Sequence, residues 1–360
     1  MKRSGGDSQT IRIVVTGALE PAISGASVIL RSIIAGFEAD PRIKCDVVDL
    51  SGIRGGGVRS LFRYLRRLLA VFKHGTKSDA LLLFTIGSGL PWTLPPFWLI
   101  ARLTGLKLIV RSTGGVAHLH GGRFTQMFVR FFLRRSSRFV VETRLLHDDA
   151  KSAGLPNVFS VPNARDLNNV IRANHEYRGS WVLISRLVPS KGVVEAIEAF
   201  RQLPELSLDL IGPSDITRNG VHRGIDFEAV GLPPNVRWLG EREPDAIPSL
   251  LAEYDGFVFP SYYPGEGHAG VVIEAMAAGL PVITTDFRSL PELVDSTCGI
   301  LVPTKDVTAL SEALVMIHSD PGLRKRLSNG ALKRAQSFDS SELTRNFNQL
   351  VIDRIRTPRS

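Results

Sequence analysis

Short apolar runs alternate with helix-like segments along the whole of this 360-residue chain. Five such runs lie in the first half, IRIVVTG, CDVVDL, ALLLFTIG, LKLIVRS and RFVVET, and five in the second, SWVLISR, LSLDLIG, VRWLG, GFVFPS and PVITTD. Continuous runs of Val, Ile and Leu of this length are typical of parallel strands buried on both faces. The pattern predicts an α/β protein with two doubly wound, Rossmann-like domains.

The segment between the two sets of strands, PNARDLNNVIRANHEYRG, is polar, rich in asparagine and poor in apolar periodicity. It predicts a linker at about residues 163–179, because domain boundaries fall in exposed polar segments. We therefore expect an N-terminal domain over residues 1–165 and a C-terminal domain over residues 166–339.

Cysteine content and the start of the chain indicate the compartment. Cys45 and Cys298 are far apart and lack ligand spacing, so neither a disulfide framework nor a zinc site is predicted. The first residues, MKRSGGDSQTIRIVVTG, lead into a short apolar strand and not into a signal-peptide core. These features predict a cytoplasmic protein.

Residues 80–101 carry no charge, which meets the length criterion for a membrane span. Glycines and prolines interrupt the stretch, and a proline pair breaks a spanning helix unless neighbours compensate. We interpret it as a strand, a loop and a helix that starts at Pro95 and Pro96.

Charge is distributed unevenly between the two halves. Residues 1–165 contain 24 Lys and Arg against 10 Asp and Glu, whereas the remainder contains 20 against 25. The first half is therefore the part expected to meet an anionic partner, which could be membrane headgroups, an acidic glycan or nucleic acid.

Two basic amphipathic segments stand out in that half, VRSLFRYLRRLLAVFKHG and RFTQMFVRFFLRRSSRF. In the first, Leu61, Tyr64, Leu65, Leu68, Leu69 and Phe72 recur at helical spacing between arginines. Helices of this kind lie on anionic membrane surfaces, or they pack their apolar stripe on a sheet. Both interpretations stay open from the sequence.

Each predicted domain opens with a strand, a loop and a helix. In the first, Gly17 follows the strand and Gly25 precedes the helix, which suits either a ligand at the backbone N–H groups or a plain turn. In the second, Arg186, Lys191 and Gly192 follow the strand. Two cations at a strand end suit a diphosphate, and the alternative is that both are ordinary solvated charges.

A glycine-rich turn with two acids, GEGHAGVVIEAMAAGLPV, follows the buried strand GFVFPS and opens a short helix. The N–H groups around Gly270 and Val271 lack helical partners and carry the positive end of the helix dipole, so they can hold a phosphate, and Gly267 and Gly270 lack the side chains that would keep it away. Glu274 leans back toward the helix start and can accept hydrogen bonds from ribose hydroxyls, while Glu266 lies in the loop ahead. The layout predicts a polyol flanked by a diphosphate.

These residues carry a resemblance. GEGHAGVVIEAMAAGLPVITTD, with SRLVPSKG upstream, resembles the donor site of glycosyltransferase family 4, retaining enzymes of the GT-B fold. The likeness runs on through NVRWLGE, YDGFVFPS, PELVDSTCGILVPTKD and VPNARD, and IVRSTGG and FVVETRLLHDD in the first half match less tightly. It implies two domains facing a central cleft, the N-terminal one for the acceptor and the C-terminal one for the donor, with a final helix at residues 340–360 that crosses back to the N-terminal domain.

The resemblance also implies residue roles. Glu266 would contact the transferred sugar, Glu274 would bind the ribose, and Arg186 and Lys191 would neutralise the departing diphosphate. The expected catalytic residues are thus Arg186, Lys191 and Glu266, and the expected donor-binding residues are Glu274, Gly267, His268, Gly270, Val271, Gly25, Gly114 and Gly115.

One departure from the family concerns a histidine. Relatives often carry one near the end of a first-domain strand, whereas this strand ends IVRSTGG. His118 and His120 follow soon after, and each is either a contact of the sugar or acceptor or an ordinary loop histidine.

The implied chemistry is transfer of a sugar from a nucleotide-diphosphate-sugar, with retention and with no metal or other cofactor. The implied acceptor is a glycan or lipid-linked glycan of the cell envelope or an exopolysaccharide. A GT-B-like nucleotide-sugar epimerase is the alternative enzyme. The net charge of +9 suggests a nucleic-acid-binding protein as a further alternative. Aromatic residues do not interleave with the basic ones as they do in a known nucleic-acid-binding module, so no nucleic acid is expected.

Overall fold

The computed structural model describes residues 10–19, 25–52, 58–114, 122–168, 170–173, 175–214, 217–218, 221–222 and 224–357. Contacts between Cα atoms divide the chain into two compact units. One comprises the chain up to Ala164 together with Ser340 onward, and the other runs from Arg165 to Asp339.

The first unit contains a parallel sheet of six strands within the described residues. Its strands are β1 (Ile11–Gly17), β2 (Ile43–Asp49), β3 (Ala80–Ile86), β4 (Lys107–Thr113), β5 (Arg138–Val141) and β6 (Val158–Ser160), in the order β2-β1-β3-β4-β5-β6. The helices that alternate with them are α1 (Gly25–Glu38), α2 (Val58–Gly75), α3 (Leu90–Thr104), α4 (Arg123–Arg134) and α5 (Arg144–Ser152). The sequence does not predict the three-residue strand β6.

Alternation along the buried strands divides this unit into two layers of core. Leu81 and Leu83 of β3 pack in a cluster with residues of α2, α3, α4 and α5. Leu82 and Phe84 point to the opposite face and pack with α1. Successive strand residues face opposite sides of a sheet, so α2, α3, α4 and α5 form one layer and α1 belongs to the other.

The structure of the uncharged stretch at residues 80–101 differs from the prediction. A 3₁₀ turn at Gly87–Gly89 follows β3 directly, and α3 begins at Leu90, so the expected start at Pro95 is wrong. Pro95 and Pro96 lie inside the helix, where they remove two N–H donors. Burial of Leu94 and Phe97 against the sheet offsets that loss. Among the described residues, no helix is both long and apolar enough to cross a membrane.

The second unit repeats the design with a different strand order. Its main sheet comprises β7 (Ser180–Ile184), β8 (Ser207–Ile211), β11 (Val236–Trp238), β12 (Gly256–Phe259), β13 (Val282–Thr285) and β14 (Gly299–Val302), all parallel, in the order β11-β8-β7-β12-β13-β14. A short antiparallel pair is formed by β9 (Thr217–Arg218) and β10 (Val221–His222). The helices are α6 (Val193–Arg201), α7 (Phe227–Val230), α8 (Ile247–Leu250), α9 (Gly270–Ala277), α10 (Val307–Ser319) and α11 (Pro321–Ala335).

Each sheet reverses its strand order at one point, between β1 and β3 in the first unit and between β7 and β12 in the second. All ten predicted strands are present in these sheets, which confirms the α/β class with two doubly wound domains. Open sheets of this kind bind ligands beyond the carboxyl ends of the strands at the point of reversal.

The last helix, α12 (Ser340–Arg356), belongs to the first unit and packs on α1. Phe347 stacks on Phe37 with ring centroids 5.9 Å apart, and Asn348 Nδ2 donates to the Gly36 carbonyl at 2.9 Å. Phe347, Val351 and Ile352 are buried in the same cluster as α1. The first unit therefore draws part of its core from the end of the chain.

We expect Phe347→Ala to lower the free energy of unfolding of the first unit by about 3–5 kcal/mol, because it leaves a cavity in a packed core. Phe124→Ala is the matched control, since Phe124 is 85% exposed and should change that free energy by less than about 0.5 kcal/mol. Urea unfolding followed by circular dichroism measures both. Equal effects of the two substitutions would contradict the packing of α12.

Candidate active site

The candidate site lies at the strand reversal of the second sheet, where the loops after β7 and β12 approach each other. The Tyr262 N–H donates to the Ser190 carbonyl at 2.9 Å and joins the two loops. Gly192 has a φ of 72° and lies so close to the second loop that a Cβ would be 2.1 Å from the Pro260 carbonyl oxygen. A glycine is required there by both its conformation and the close approach.

A buried ion pair connects the same two loops. Lys191 Nζ lies 2.6 Å from Glu266 Oε2, and their side chains are 9% and 7% exposed. Ser261 Oγ donates to the same carboxylate oxygen. Buried charges persist only when they are paired and hydrogen-bonded, and this pair meets that condition.

Aromatic rings surround this lysine. Its Nζ lies 5.1 Å from the ring centroid of Phe259 and 5.0 Å from that of Tyr263. Arg186 is exposed, and its guanidinium carbon is 5.7 Å from the Tyr263 centroid. Tyr263 thus lies between two cations, within the range of a cation–π attraction.

Hydroxyl groups at and just after the end of β13 donate hydrogen bonds to the loop that carries Glu266. Thr285 Oγ1 donates to the Ser261 carbonyl at 2.5 Å, and Ser289 Oγ donates to the Glu266 carbonyl at 3.0 Å. Ser261, Thr285 and Ser289 are all buried. The backbone around Glu266 is therefore fixed by hydrogen bonds independent of its charge.

Helix α9 begins directly after this loop. Its N-cap residue is Ala269, whose side chain makes no capping hydrogen bond within the described part of the chain. The start of an uncapped helix presents N–H donors and the positive end of the helix dipole, which attract an anion.

The second acid of the motif, Glu274, pairs with an arginine that the sequence analysis did not single out. Arg165 Nε donates to Glu274 Oε1 at 2.8 Å, and the two side chains are 9% and 18% exposed. Burial raises the pKa of Glu274, and the positive charge and hydrogen bond of Arg165 act in the opposite direction.

The reason for a glycine at position 270 also differs from the expected one. A Cβ there would lie 1.5 Å from Nη2 and 2.0 Å from Cζ of Arg165. The space above the first residue of α9 is thus held by the Arg165 guanidinium. Gly270 therefore leaves space for a cation of the protein itself. The sequence predicted instead that it leaves space for a phosphate.

Three further predicted donor residues lie around the same turn. Gly267 and His268 are buried, and Val271 is partly exposed in the first turn of α9. His268 Nε2 is 3.5 Å from Glu292 Oε2, and its ring meets Phe338 edge-on at 5.6 Å. His268 thus contacts the interior of the second unit.

Two of the predicted residues of the first unit, Gly25 and Gly114, lie within the described residues. Gly25 is the first residue of α1, with open space where a Cβ would be. Gly114 follows β4 with a φ of 71°, and its N–H donates to Glu142 Oε1 at 2.7 Å. The remaining predictions, Gly115, His118 and His120, lie outside the described residues.

Glu142 is a further residue missed from the sequence. It is buried at the end of β5, where Asn163 Nδ2 donates to its Oε2 and Gly114 to its Oε1. It therefore joins the ends of β4, β5 and the segment after β6. The only signal in the sequence was a lone acid directly after an apolar strand, FVVET, which by itself does not show its partners.

Metal ligands were not predicted, and the described part of the chain holds no group of three or more His, Cys, Asp or Glu placed to bind a metal ion. The expectation that catalysis needs no metal stays a prediction.

The segment that carries this site is similar to a known family. Residues 173–334 match the family described as "Glycosyl transferases group 1". The match includes Arg186, Lys191, Glu266 and Glu274.

A curated relative from Corynebacterium glutamicum, a GDP-mannose-dependent monoacylated alpha-(1-6)-phosphatidylinositol monomannoside mannosyltransferase, is 34% identical over 160 residues, which are 42% of this chain and 40% of that protein. The chain thus matches less than half the length of this relative.

Solved structures resemble the chain over nearly its whole length. HepE from Anabaena in complex with UDP aligns with a TM-score of 0.76 at 17% identity, covering 95% of this chain and 100% of that one. Sucrose-phosphate synthase from Thermosynechococcus elongatus aligns with a TM-score of 0.77 at 18% identity, covering 95% and 98%. The expected GT-B fold is thereby confirmed, and residues 173–334 of the chain are similar to the group 1 glycosyl transferases.

Proposed function

We propose that this protein is a retaining glycosyltransferase that moves a sugar from a nucleotide-diphosphate-sugar to a glycan or lipid-linked glycan, in cell-envelope or exopolysaccharide synthesis. The observation that carries the proposal is the buried Lys191–Glu266 pair at the strand reversal, beside the uncapped start of α9. The names of similar proteins agree with it, since HepE is in complex with UDP and the Corynebacterium glutamicum relative is GDP-mannose-dependent.

The leaving diphosphate is the group that most needs stabilising. As the bond between the anomeric carbon and the phosphate oxygen breaks, its electron pair stays on the diphosphate, where negative charge grows. Lys191, Arg186 and the first N–H groups of α9 supply fixed positive charge for it. Because Lys191 and the start of α9 are already held in place, they need no reorganisation during the reaction.

Glu266 suits sugar binding better than proton transfer. Both of its side-chain hydrogen bonds from the described residues fall on Oε2, so Oε1 is the oxygen available to a sugar hydroxyl. Lys191 Nζ at 2.6 Å and Ser261 Oγ hold Oε2 in place, so the side chain is positioned to accept a hydrogen bond from the sugar through Oε1.

The attacking hydroxyl of the acceptor then approaches the anomeric carbon from the face that the diphosphate leaves. Its oxygen forms the new bond to that carbon, and its proton passes to the departing phosphate oxygen. The products are the glycosylated acceptor with the configuration retained and a nucleoside diphosphate, and the atoms balance without a metal or other cofactor.

We further propose that the first unit docks on the cytoplasmic face of an anionic membrane. Only part of the apolar stripe of α2 packs on the core. Tyr64 and Leu68 contact it. Leu61, Leu65 and Leu69 are more than half exposed. The outer faces of α2, α3 and α4 together expose Val58, Leu61, Phe62, Leu65, Leu69, Trp92, Leu99, Leu103, Phe124 and Met127 by more than half.

The charge of these three helices supports an anionic membrane as the partner. Helices α2, α3 and α4 contain no Asp or Glu, and their arginines and lysines are interleaved with the exposed apolar residues. Apolar side chains beside cations match an interface of acyl chains below anionic headgroups. Such docking would bring the acceptor-binding unit to a lipid-linked substrate.

Glu274→Gln should weaken binding of the nucleoside diphosphates UDP and GDP, tested separately, by about 10- to 100-fold, because a charged acceptor of ribose hydrogen bonds is lost. Glu198→Gln, on the exposed face of α6, is the matched control. Isothermal titration calorimetry measures both. Unchanged affinity in the Glu274 variant for whichever nucleotide the protein binds would refute the ribose role.

Arg186→Ala and Lys191→Met should each lower kcat by about 10²- to 10³-fold, because charge on the leaving diphosphate is then unmatched. Arg201→Ala, an exposed arginine of the same unit, should leave kcat unchanged. Release of nucleoside diphosphate in the presence of acceptor gives the rate.

Stability separates two explanations for these losses. Lys191→Met also breaks a buried pair, which costs about 3–5 kcal/mol of stability, whereas Arg186 is exposed. Loss of activity in the Arg186 variant therefore reports on chemistry alone, and full activity in both variants would remove the diphosphate assignment.

Vesicles test the membrane proposal. The protein should sediment with vesicles of mixed phosphatidylcholine and phosphatidylglycerol, and less with phosphatidylcholine alone, because anionic headgroups attract the arginines. A combined Phe62→Ser, Trp92→Ser and Phe124→Ser variant should lose this binding, whereas Trp238→Ser in the second unit should keep it. Absence of wild-type binding at low salt would end the proposal.

A further inference from the structure

Arg165 begins the second unit, and its backbone is held firmly there. Its N–H donates to the Phe338 carbonyl at 3.0 Å, and it forms a bridge of the parallel type with Asp339. The side chain is almost wholly buried, so its direction is set by packing. The guanidinium therefore has little freedom to leave the start of α9.

The guanidinium of Arg165 occupies a place that is electrostatically unfavourable for a cation. It lies against Gly270, at the end of α9 where the helix dipole is positive, and cations are unfavourable there. A buried ion pair also contributes little to stability, because removing two charges from water offsets their attraction. Stability of the fold therefore gives no reason for an arginine at this place.

The pairing does have a consequence for Glu274. Arg165 contacts it through Nε at 2.8 Å, so the carboxyl group is fixed by one oxygen within a buried environment. A carboxyl group held in place before the ligand arrives binds hydroxyl groups more tightly than one that must first be ordered.

We propose that Arg165 is a positioning residue of the nucleoside-diphosphate site, which holds Glu274 toward the ribose and which requires glycine at position 270 in order to lie there. The inference rests on the proposed function, because it assigns a ribose to Glu274. Arg165 acts through this carboxylate, whereas Lys191 and Arg186 act on the diphosphate.

A double-mutant cycle tests the geometry directly. Arg165→Ala should weaken binding of UDP or GDP by about 10-fold or more. Gly270→Ala should cause a loss of similar size, because its new Cβ would overlap the guanidinium and displace it. The double variant should lose no more than Arg165→Ala alone, since the methyl group then has nothing to displace. Losses that add would overturn the proposal.

Inorganic pyrophosphate distinguishes ribose positioning from a direct phosphate contact. Both single variants should bind pyrophosphate as the wild type does, because pyrophosphate has no ribose for Glu274 to hold. An equal loss for pyrophosphate and nucleotide would make Arg165 a phosphate ligand and refute its positioning role. If the wild type binds neither UDP nor GDP, the proposed function itself fails.

Thermal unfolding of each variant shows that the loss of binding does not come from loss of fold. Gly322→Ala, at the second residue of α11, is the matched glycine control and should leave nucleotide affinity unchanged. Should Arg165→Ala unfold at the temperature of measurement, Gly270→Ala still tests the proposal, because it keeps both charged residues. Unchanged nucleotide affinity in a folded Gly270→Ala protein would contradict it.

Discussion

The ion pair of Lys191 and Glu266 connects the two loops on which the candidate site depends. Parallel strands β7 and β12 are neighbours only because the strand order reverses between them, and their carboxyl ends therefore deliver these loops to one place. The close approach at Gly192 lets the backbones meet, and the ion pair then fixes side chains that come from distant parts of the sequence. Removing either charge would leave the other buried and unpaired.

Sequence alone predicts the parts of this arrangement that are local. Long apolar runs predicted ten strands correctly, because strands buried on both faces need such runs. The short strands β6 and β14 were not predicted from the sequence. Three or four residues show too little apolar pattern, and these strands are fixed by pairing with their neighbours. The start of α3 was misplaced because tertiary burial of Leu94 and Phe97 outweighed the usual effect of a proline pair.

Within the site, the sequence predicted residue types better than their partners. Glu266, Glu274 and Lys191 follow from charges at strand and helix ends, but the partner of Glu274 is Arg165, which is 109 positions away. No periodicity connects such a pair, because only the folded backbone brings them together. Gly270 illustrates the same limit, since a glycine in a loop signals close approach without showing what approaches it.

The two ion pairs, Lys191 with Glu266 and Arg165 with Glu274, bear on why a site suited to anions contains carboxylates at all. Arg165, Arg186 and Lys191 bring three positive charges to this part of the second unit, and Glu266 and Glu274 bring two negative ones. One net positive charge and the dipole of α9 therefore remain for an anion. The carboxylates reduce the attraction for arbitrary anions, and they offer acceptors only to ligands that bear hydroxyl groups. Discrimination by hydrogen bonding is stronger than discrimination by charge alone, because an unmatched buried acceptor is costly. Under the proposed function, such a site would favour a diphosphate that carries sugars over a bare phosphate.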